Sequence, residues 1–281
     1  MASFVRSTQH SCAVERISSG IDGLDRVLGE YVARGSMMMV AEDENSSAHS
    51  VLLRVFLSEG VAGNEEVLAV SKEEEEMWIY STGMRADEVP IDKMVIAWRY
   101  SGVPSRECRP RFNLSSKHRL DGKDSVLCKH HATPEEILRI AESKERVRIV
   151  IFSLMSPFWM CDGYKSKDMV EFMYRLRRCV RMNKHVCIVS VPTFLCPEMN
   201  LFPFFDVVAE EDSNIFSGFC PNYNVMLTFA KMKGYGCLRI NTLEGLKYGV
   251  KIRKSGVCLE SIDIPPEDSE VQGMQCSKRE F

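Results

Sequence analysis

The sequence predicts an α/β protein with a mostly parallel sheet that helices cover on both faces. Over the first two-thirds of the 281-residue chain, short apolar runs of buried-strand length alternate with stretches whose apolar residues recur at helical spacing. From residue 205 the pattern changes to short strands without long helices. This change predicts an antiparallel extension at one edge of the sheet.

The first elements surround a polar loop. A short helix over 21–28 leads into a strand at 36–41, and after the loop a helix covers 50–57. A second strand at 66–71 precedes a helix predicted over 72–81, whose acidic run 73–76 should be a solvated face. A third strand is predicted at 93–100. Residues 102–132 show no sustained periodicity, so we expect a long loop there.

The second half continues the alternation of helices and strands. Thr133 as N-cap, Pro134 at the first position and glutamates in the first turn predict a helix to about residue 145. Strands at 148–154 and 185–191 flank a helix over 167–182. The strands of the extension are predicted at 205–209, 225–230, 238–241, 248–253 and 258–264.

Composition bounds the domain organisation and the compartment. Hydrophobic content of 45% and a formal charge of −3 indicate a soluble globular protein that does not coat nucleic acid by bulk charge. Residues 1–19 contain no apolar h-region, and no stretch approaches a membrane span, so we expect a cytoplasmic and nuclear protein. Eleven cysteines without a C-x-x-C pair indicate free thiols. We expect one domain over 16–264, between a flexible N-terminus (1–15) and a disordered tail (265–281).

The strand at 36–41, its loop and the following helix form the setting of the phosphate loop G-x-x-x-x-G-K-[ST]. On that template, Asp43 and Ala48 stand at the glycines, His49 at the lysine and Ser50 at the last position. Only Ser50 fits. An ordinary strand–turn–helix unit that never bound phosphate is the alternative interpretation of this stretch alone.

The residues that do not fit would oppose a triphosphate. Glu42, Asp43 and Glu44 place carboxylates in the loop, and one like-charge pair about 5 Å apart costs roughly 3 kcal/mol at an effective dielectric constant near 20. An imidazole at His49 is a poor substitute for an ammonium group. The stretch therefore predicts the frame of a nucleotide site without its chemistry.

The metal-binding carboxylate is also missing. In active members of this architecture a fourth strand ends in an aspartate that holds Mg²⁺ through water, and here the candidate positions are Ser153 and Leu154.

Several patches resemble one family. Residues 19–29 are similar to the S/T-G-x-x-x-L-D-x-x-L-G opening of RecA-like proteins. Residues 41–43 with 52–61 resemble E-E-D…L-L-x-x-F-L-A-E-G-V, residues 96–100 resemble I-A-W-R-Y, and residues 153–159 resemble an S-P-x-W turn. On these motifs the chain resembles the Elongator subunit-four family of RecA-like accessory subunits, over about residues 15–268.

The resemblance implies a RecA-like three-layer fold that lacks Walker motifs and carries no catalytic residue. It implies a heterohexameric ring with Elongator subunits five and six that binds tRNA. That ring joins the catalytic Elongator subcomplex, which carboxymethylates the wobble uridine. We expect no cofactor for this chain alone, although ATP binding by the assembled ring stays open. The alternative function is an active RecA/KaiC-like NTPase with an atypical phosphate loop.

The resemblance also assigns candidate contacts. In RecA-like rings the loops after the fourth and fifth strands face the central channel, here 156–167 and 193–204, so Lys165 and Lys167 are candidate tRNA contacts. An arginine cluster on the helix over 167–182 is a candidate subunit interface, with tRNA or solvent as alternatives. The cluster consists of Arg175, Arg177, Arg178 and Arg181.

Thiolates and imidazoles in the long loop are candidate ligands for Zn²⁺, because these groups together can hold that ion. The spacing of these residues follows no recognised ligand pattern, and we expect no metal. They are Cys108, His118, Cys128, His130 and His131.

Overall fold

The computed structural model describes residues 15–29, 31–72, 77–82, 111–120, 126–161, 163–213, 223–232 and 247–262. The strands predicted at 93–100 and 238–241, the acidic run 73–76 and the tail at 265–281 lie outside these residues. Of the predicted flexible N-terminus, only residue 15 is described.

Helices and strands alternate through most of the chain. The helices in the described part are α1 (Asp22–Val27), α2 (Ala48–Ala62), α3 (Pro134–Ser143), α4 (Pro157–Met160) and α5 (Ser166–Met182). The strands are β1 (Arg16–Ile17), β2 (Val32–Ala33), β3 (Met37–Ala41), β4 (Val67–Ser71), β5 (Trp78–Thr82), β6 (Phe112–Arg119), β7 (Val126–His130), β8 (Arg148–Ile151), β9 (Val186–Val191), β10 (Val207–Asp212), β11 (Val225–Met232), β12 (Lys247–Arg253) and β13 (Gly256–Ser261).

The main sheet of the described residues has the strand order β13-β12-β11-β10-β3-β9-β8-β4-β7. From β10 to β7 every neighbouring pair is parallel, whereas β10 to β13 are paired antiparallel. This arrangement confirms a mostly parallel central sheet with an antiparallel extension at one edge. Strand β3 lies inside the sheet, between β9 and β10. The loop that follows β3 therefore has the carboxyl-terminal ends of these two strands on either side of it.

Helices cover both faces of the sheet. Side chains of the central strands therefore point alternately into two cores, one on each face. Met38 and Val40 of β3 pack in a core with Leu53 of α2. Met37 and Met39 point to the opposite core, which they share with α3 and α5. This alternation is the reason that the parallel strands read as continuous apolar runs in the sequence. No described helix is both long and apolar enough to cross a membrane.

A buried arginine joins the strands to the helix that follows the loop. The Arg148 side chain is 1% exposed, and its guanidinium donates to the carbonyl oxygens of Ser18 and Phe56, both at 3.0 Å. Its Nε lies 2.8 Å from a carboxylate oxygen of Glu65. The methylene stem fills the space beside Gly60 of α2, where an added Cβ would lie 2.6 Å from Arg148 Cδ.

Helix α3 begins as predicted. The Thr133 hydroxyl accepts from the Glu136 N–H at 3.2 Å, and the Glu136 carboxylate accepts from the Thr133 N–H at 3.1 Å. This reciprocal pair is a capping box, and Pro134 occupies the first helical position.

Two predictions between residues 72 and 132 are wrong. The helix predicted over 72–81 is contradicted from residue 78, where β5 pairs antiparallel with β6. The long loop predicted over 102–132 contains β6 and also β7, which pairs with β4. Trp78, Ile79 and Tyr80 favour a strand, and a cross-strand partner more than 30 residues away outweighed the helical spacing.

Candidate functional site

The loop between β3 and α2 folds back on itself. The Ala48 N–H donates to the Ser46 hydroxyl at 3.1 Å, and the Ser50 N–H donates to the Ser47 carbonyl at 3.2 Å. The Asn45 N–H donates to the Asp43 carboxylate at 3.2 Å. In a phosphate loop such amides would face the phosphates. Here loop atoms accept these three bonds.

His49, at the position of the phosphate-loop lysine, lies between two carboxylates. Its Nδ1 is 3.4 Å from an oxygen of Glu211, and its Nε2 is 3.8 Å from an oxygen of Glu42. The Glu211 side chain is fully buried, and burial raises the pKa of its carboxyl group above the usual value, with Glu42 and Asp43 adding to the rise and His49 opposing it. The site therefore places carboxylates where a triphosphate would need cations.

Asp43 joins this loop to the neighbouring strand. Its carboxylate accepts from the Ser213 hydroxyl, just beyond the end of β10. Strand β10 ends in the acidic run Glu210 to Asp212, and Glu210 is paired with Ala41, the last residue of β3. Carboxylates from two adjacent parallel strands therefore lie close together at the carboxyl-terminal ends of β3 and β10.

Ser50, at the position that binds Mg²⁺ in a phosphate loop, contacts an arginine side chain. Its hydroxyl accepts from the Nε of Arg54, one helical turn further along α2, at 3.2 Å. The Arg54 guanidinium lies over the rings of Trp78 and Phe152, with 4.1 and 5.3 Å to the ring centroids. The hydroxyl that would contact Mg²⁺ in a phosphate loop therefore contacts a guanidinium of the same chain.

Ser153 is one of the two candidate positions for the metal-binding aspartate. It follows β8 with a positive φ of 45°, and its N–H donates to the Ser190 hydroxyl of β9 at 2.8 Å. Leu154, the other candidate position, is buried in the core that α3 and α5 share. A small cavity between these groups is lined by His49, Ser50, Arg54, Ser71, Met77, Phe152 and Ser153.

The assignment of Asp43, Ala48, His49 and Ser50 to a degenerate phosphate loop stays a prediction, and the sequence analysis did not identify Arg54 or Glu211, which contact two of these residues. The position of Arg54 four residues after Ser50, inside the apolar run of α2, was a signal that could have pointed to it. Glu211 had no comparable signal, because it reaches His49 through the pairing of β10 with β3, across 162 residues of chain.

The two candidate tRNA contacts lie at the start of α5. Lys165 and Lys167 are exposed, and the Lys165 N–H donates to the Asp168 carboxylate at 2.9 Å. Their proposed role stays a prediction.

The arginine cluster of α5 divides into two pairs. Arg181 lies 3.1 Å and Arg177 lies 3.6 Å from the buried carboxylate of Asp206, which also accepts from the Met37 N–H at 3.1 Å. Arg175 lies 3.8 Å from Glu142, and Arg178 is exposed. Two of the four arginines therefore bridge α5 to the start of β10 within this chain, and the interface role of the cluster stays a prediction.

The candidate zinc ligands in the described part of the chain are divided between two sheets. His118 lies on β6, whereas Cys128 and His130 lie on β7, which belongs to a different sheet. Cys108 lies outside the described residues. Across the described ranges, no group of three or more histidine, cysteine, aspartate or glutamate side chains has a geometry that could hold a metal ion.

One family model and several relatives match most of this chain. A family model described as PAXNEB protein matches residues 5–126 and 123–280 of this chain. A relative named Elongator complex protein 4 from Xenopus laevis is 23% identical, over 90% of this chain and 81% of its own length. Another of that name, from Dictyostelium discoideum, is 22% identical over 90% of this chain and 75% of its own.

The fold also has a relative among solved structures. The crystal structure of KaiC-like protein PH0186 from Pyrococcus horikoshii OT3 matches with a TM-score of 0.52 and 14% sequence identity. The match covers 88% of this chain and 99% of that one. At this identity the likeness shows the fold alone, and it confirms the RecA-like fold expected from the sequence.

Proposed function

This chain belongs to the PAXNEB family, and from that premise we propose that it is a non-catalytic RecA-fold subunit of an Elongator complex. Its relatives over about 90% of the chain are named Elongator complex protein 4. In this proposal the chain assembles with Elongator subunits five and six into a heterohexameric ring in the cytoplasm and nucleus. The ring binds tRNA and supports 5-carboxymethyl-type modification of the wobble uridine by the catalytic subcomplex.

The non-catalytic role is supported by the signs of the charges at the predicted phosphate-loop positions. Glu42 and Glu211 face His49, at the position where a lysine would contact phosphate, and Arg54 contacts Ser50 where Mg²⁺ would bind. Carboxylates repel a triphosphate, and a guanidinium repels a divalent cation. Both halves of the ligand MgATP are therefore opposed by side chains of this chain.

The first experiment titrates the purified chain with ATP·Mg²⁺ by calorimetry. We expect no binding at micromolar nucleotide. Asp43→Ala changes the loop and Ser50→Ala changes the first turn of α2, and they serve as matched variants because neither residue belongs to the two cores of the sheet. Micromolar binding by the natural chain that either variant abolishes would contradict the proposal and support the RecA/KaiC-like NTPase instead.

The second experiment tests the ring. Co-expression with Elongator subunits five and six of the same organism should give a complex of about six subunits in light scattering after size exclusion. A monodisperse monomer in every mixture would contradict the ring.

The third experiment tests the tRNA contacts. Replacing Lys165 and Lys167 with glutamate should weaken tRNA binding by the assembled ring and lower the slope of log K against log salt by up to about 2, since each phosphate contact adds about 0.7–0.9. Lys184→Glu is the matched control for each of the two single replacements, Lys165→Glu and Lys167→Glu, because Lys184 is exposed at the other end of α5, ahead of β9. Equal effects of the control and the single replacements would show that bulk charge, not this loop, governs binding.

A further inference from the structure

A buried histidine, His185, joins several elements at the amino-terminal ends of the parallel strands. It lies just ahead of β9, and its side chain is completely buried. Its backbone N–H donates to the carbonyl oxygen of Val180 in α5 at 3.0 Å, and its carbonyl oxygen accepts from the N–H of Gly35, ahead of β3, at 2.7 Å. These two backbone bonds do not involve the imidazole ring.

The imidazole ring of His185 makes two further bonds, one at each nitrogen. Nδ1 lies 2.9 Å from the backbone nitrogen of Val147, and Nε2 lies 2.8 Å from the carbonyl oxygen of Ala141. A peptide N–H can only donate and a carbonyl oxygen can only accept, so these partners fix the neutral tautomer with its proton on Nε2. Both ring nitrogens are therefore satisfied by backbone groups in the last turn of α3 and just ahead of β8.

Protonation of the ring would remove one of these bonds. An imidazolium carries a hydrogen on both nitrogens, so Nδ1 would present a hydrogen to the N–H of Val147 instead of a lone pair. Two donors 2.9 Å apart repel each other, and the new positive charge would also lie in a buried site. A charged His185 therefore requires the segment that carries Val147 to move away from the ring.

The surroundings of His185 favour the neutral ring. Burial is the largest influence and lowers the pKa of His185 below its usual value, while the bond to the Ala141 carbonyl opposes this shift. Of the charged side chains, Arg34 ahead of β3 lowers the pKa further and Glu145 ahead of β8 raises it. Helices α3 and α5 contact the residue through backbone carbonyl oxygens. Arg34 is itself paired with two carboxylates, those of Glu15 and Glu65.

We propose that His185 is an acid-sensitive latch that holds the turn between α3 and β8 against the start of β9. The opened chain binds the His185 proton more tightly than the closed chain, since the opened ring has the pKa of an ordinary histidine, about 6.5. The contribution of the latch is therefore complete above about pH 6.5 and is lost as the pH falls below that value. The inference concerns contacts within this chain and does not depend on the proposed assembly.

The first test is amide hydrogen exchange of the natural full chain, measured by mass spectrometry and corrected for the intrinsic exchange rate at each pH. Peptides that cover residues 144–149 should lose protection by up to about tenfold between about pH 7.5 and about pH 5.5, because one proton changes an opening constant by at most about tenfold per pH unit. Peptides that cover β4 should keep their protection, which separates local opening from unfolding of the whole sheet.

The second test separates the effect of the proton from the effect of packing. His185→Gln keeps an amide that can donate and accept but does not titrate, so its unfolding constant in urea should rise up to about tenfold less than that of the natural chain over the same fall in pH. Only the pH dependence is compared, so a variant that is less stable at every pH still serves. His130→Gln is the matched control, because His130 is exposed on β7, and it should follow the pH profile of the natural chain.

Three outcomes would overturn the inference. The first is unchanged protection of residues 144–149 in the natural chain across this pH range, a result that does not require any variant to fold. The second is an equal loss of protection in β4, because acid would then unfold the sheet rather than open this turn. The third is a His185→Gln variant whose unfolding depends on pH as steeply as that of the natural chain.

Discussion

The contribution of Arg54 to this site can be measured as a change in the free energy of unfolding. Its side chain is buried, its Nε donates to the Ser50 hydroxyl at 3.2 Å, and its guanidinium lies over Trp78 and Phe152. A desolvated cation–π contact contributes about 2 kcal/mol, and a hydrogen bond from a charged donor about 1.5–3 kcal/mol. Arg54→Ala should therefore lower the free energy of unfolding by about 3–5 kcal/mol, a large part of the 5–15 kcal/mol that holds a typical domain folded.

The assay is urea unfolding followed by circular dichroism and by tryptophan fluorescence, because Trp78 lies against the guanidinium. Arg54→Lys is the matched variant, since it keeps the charge and loses the planar stack, and we expect about half the loss of the alanine variant. An alanine variant within about 1 kcal/mol of the natural chain would refute the reasoning. A lysine variant as stable as the natural chain would show that charge alone suffices and that the stacking geometry contributes nothing.

Three further predictions concern stability. Asp206→Ala should cost about 2–3 kcal/mol in urea unfolding because it leaves a buried N–H of β3 without its carboxylate, whereas Arg181→Ala, at a side chain 43% exposed, should cost less than about 1 kcal/mol; equal losses would contradict this account. Glu211→Gln should become more stable relative to the natural chain as pH rises from 4 to 7. The raised pKa means that the folded state binds the Glu211 proton more tightly than the unfolded state, so the natural chain loses stability as that proton leaves; a pH-independent difference would contradict it. Gly60→Ala should lower the thermal midpoint and cost about 2 kcal/mol, because its Cβ would lie 2.6 Å from Arg148 Cδ; an unchanged midpoint would show that Arg148 moves aside freely.

The parallel strands were predictable because their burial on both faces leaves an uninterrupted apolar run in the sequence. The strands β3, β4, β8 and β9 begin and end within one to three residues of the predicted limits. Helix α3 was equally clear, since a capping box is a local signal. Strand β5 was not, because its stability comes from β6, whose sequence is far away and partly polar.

The same distinction applies to the site. The four predicted phosphate-loop positions follow from a template whose spacing is local, so Asp43 and His49 could be placed on it from the sequence alone. The partner of His49 could not, because Glu211 arrives through strand pairing rather than through spacing. The contact of Arg54 with Ser50 could be predicted from their spacing of four residues in a helix. The stacking of Arg54 on Trp78 could not, because the sequence pattern predicts a helix at Trp78 instead of strand β5.

The charges around the loop between β3 and α2 form a pattern when they are compared with an active phosphate loop. An active phosphate loop brings protein cations and Mg²⁺ to an anionic ligand. In this chain carboxylates from Glu42, Asp43 and Glu211 lie on the side where the anion would be, and the guanidinium of Arg54 lies on the hydroxyl where the metal would be. Each of these charges has the same sign as the part of MgATP whose place it takes, because carboxylates stand in for the anion and a guanidinium stands in for the metal ion. In the proposed non-catalytic subunit, both signs of charge at this loop therefore come from the polypeptide itself rather than from a nucleotide and its metal ion.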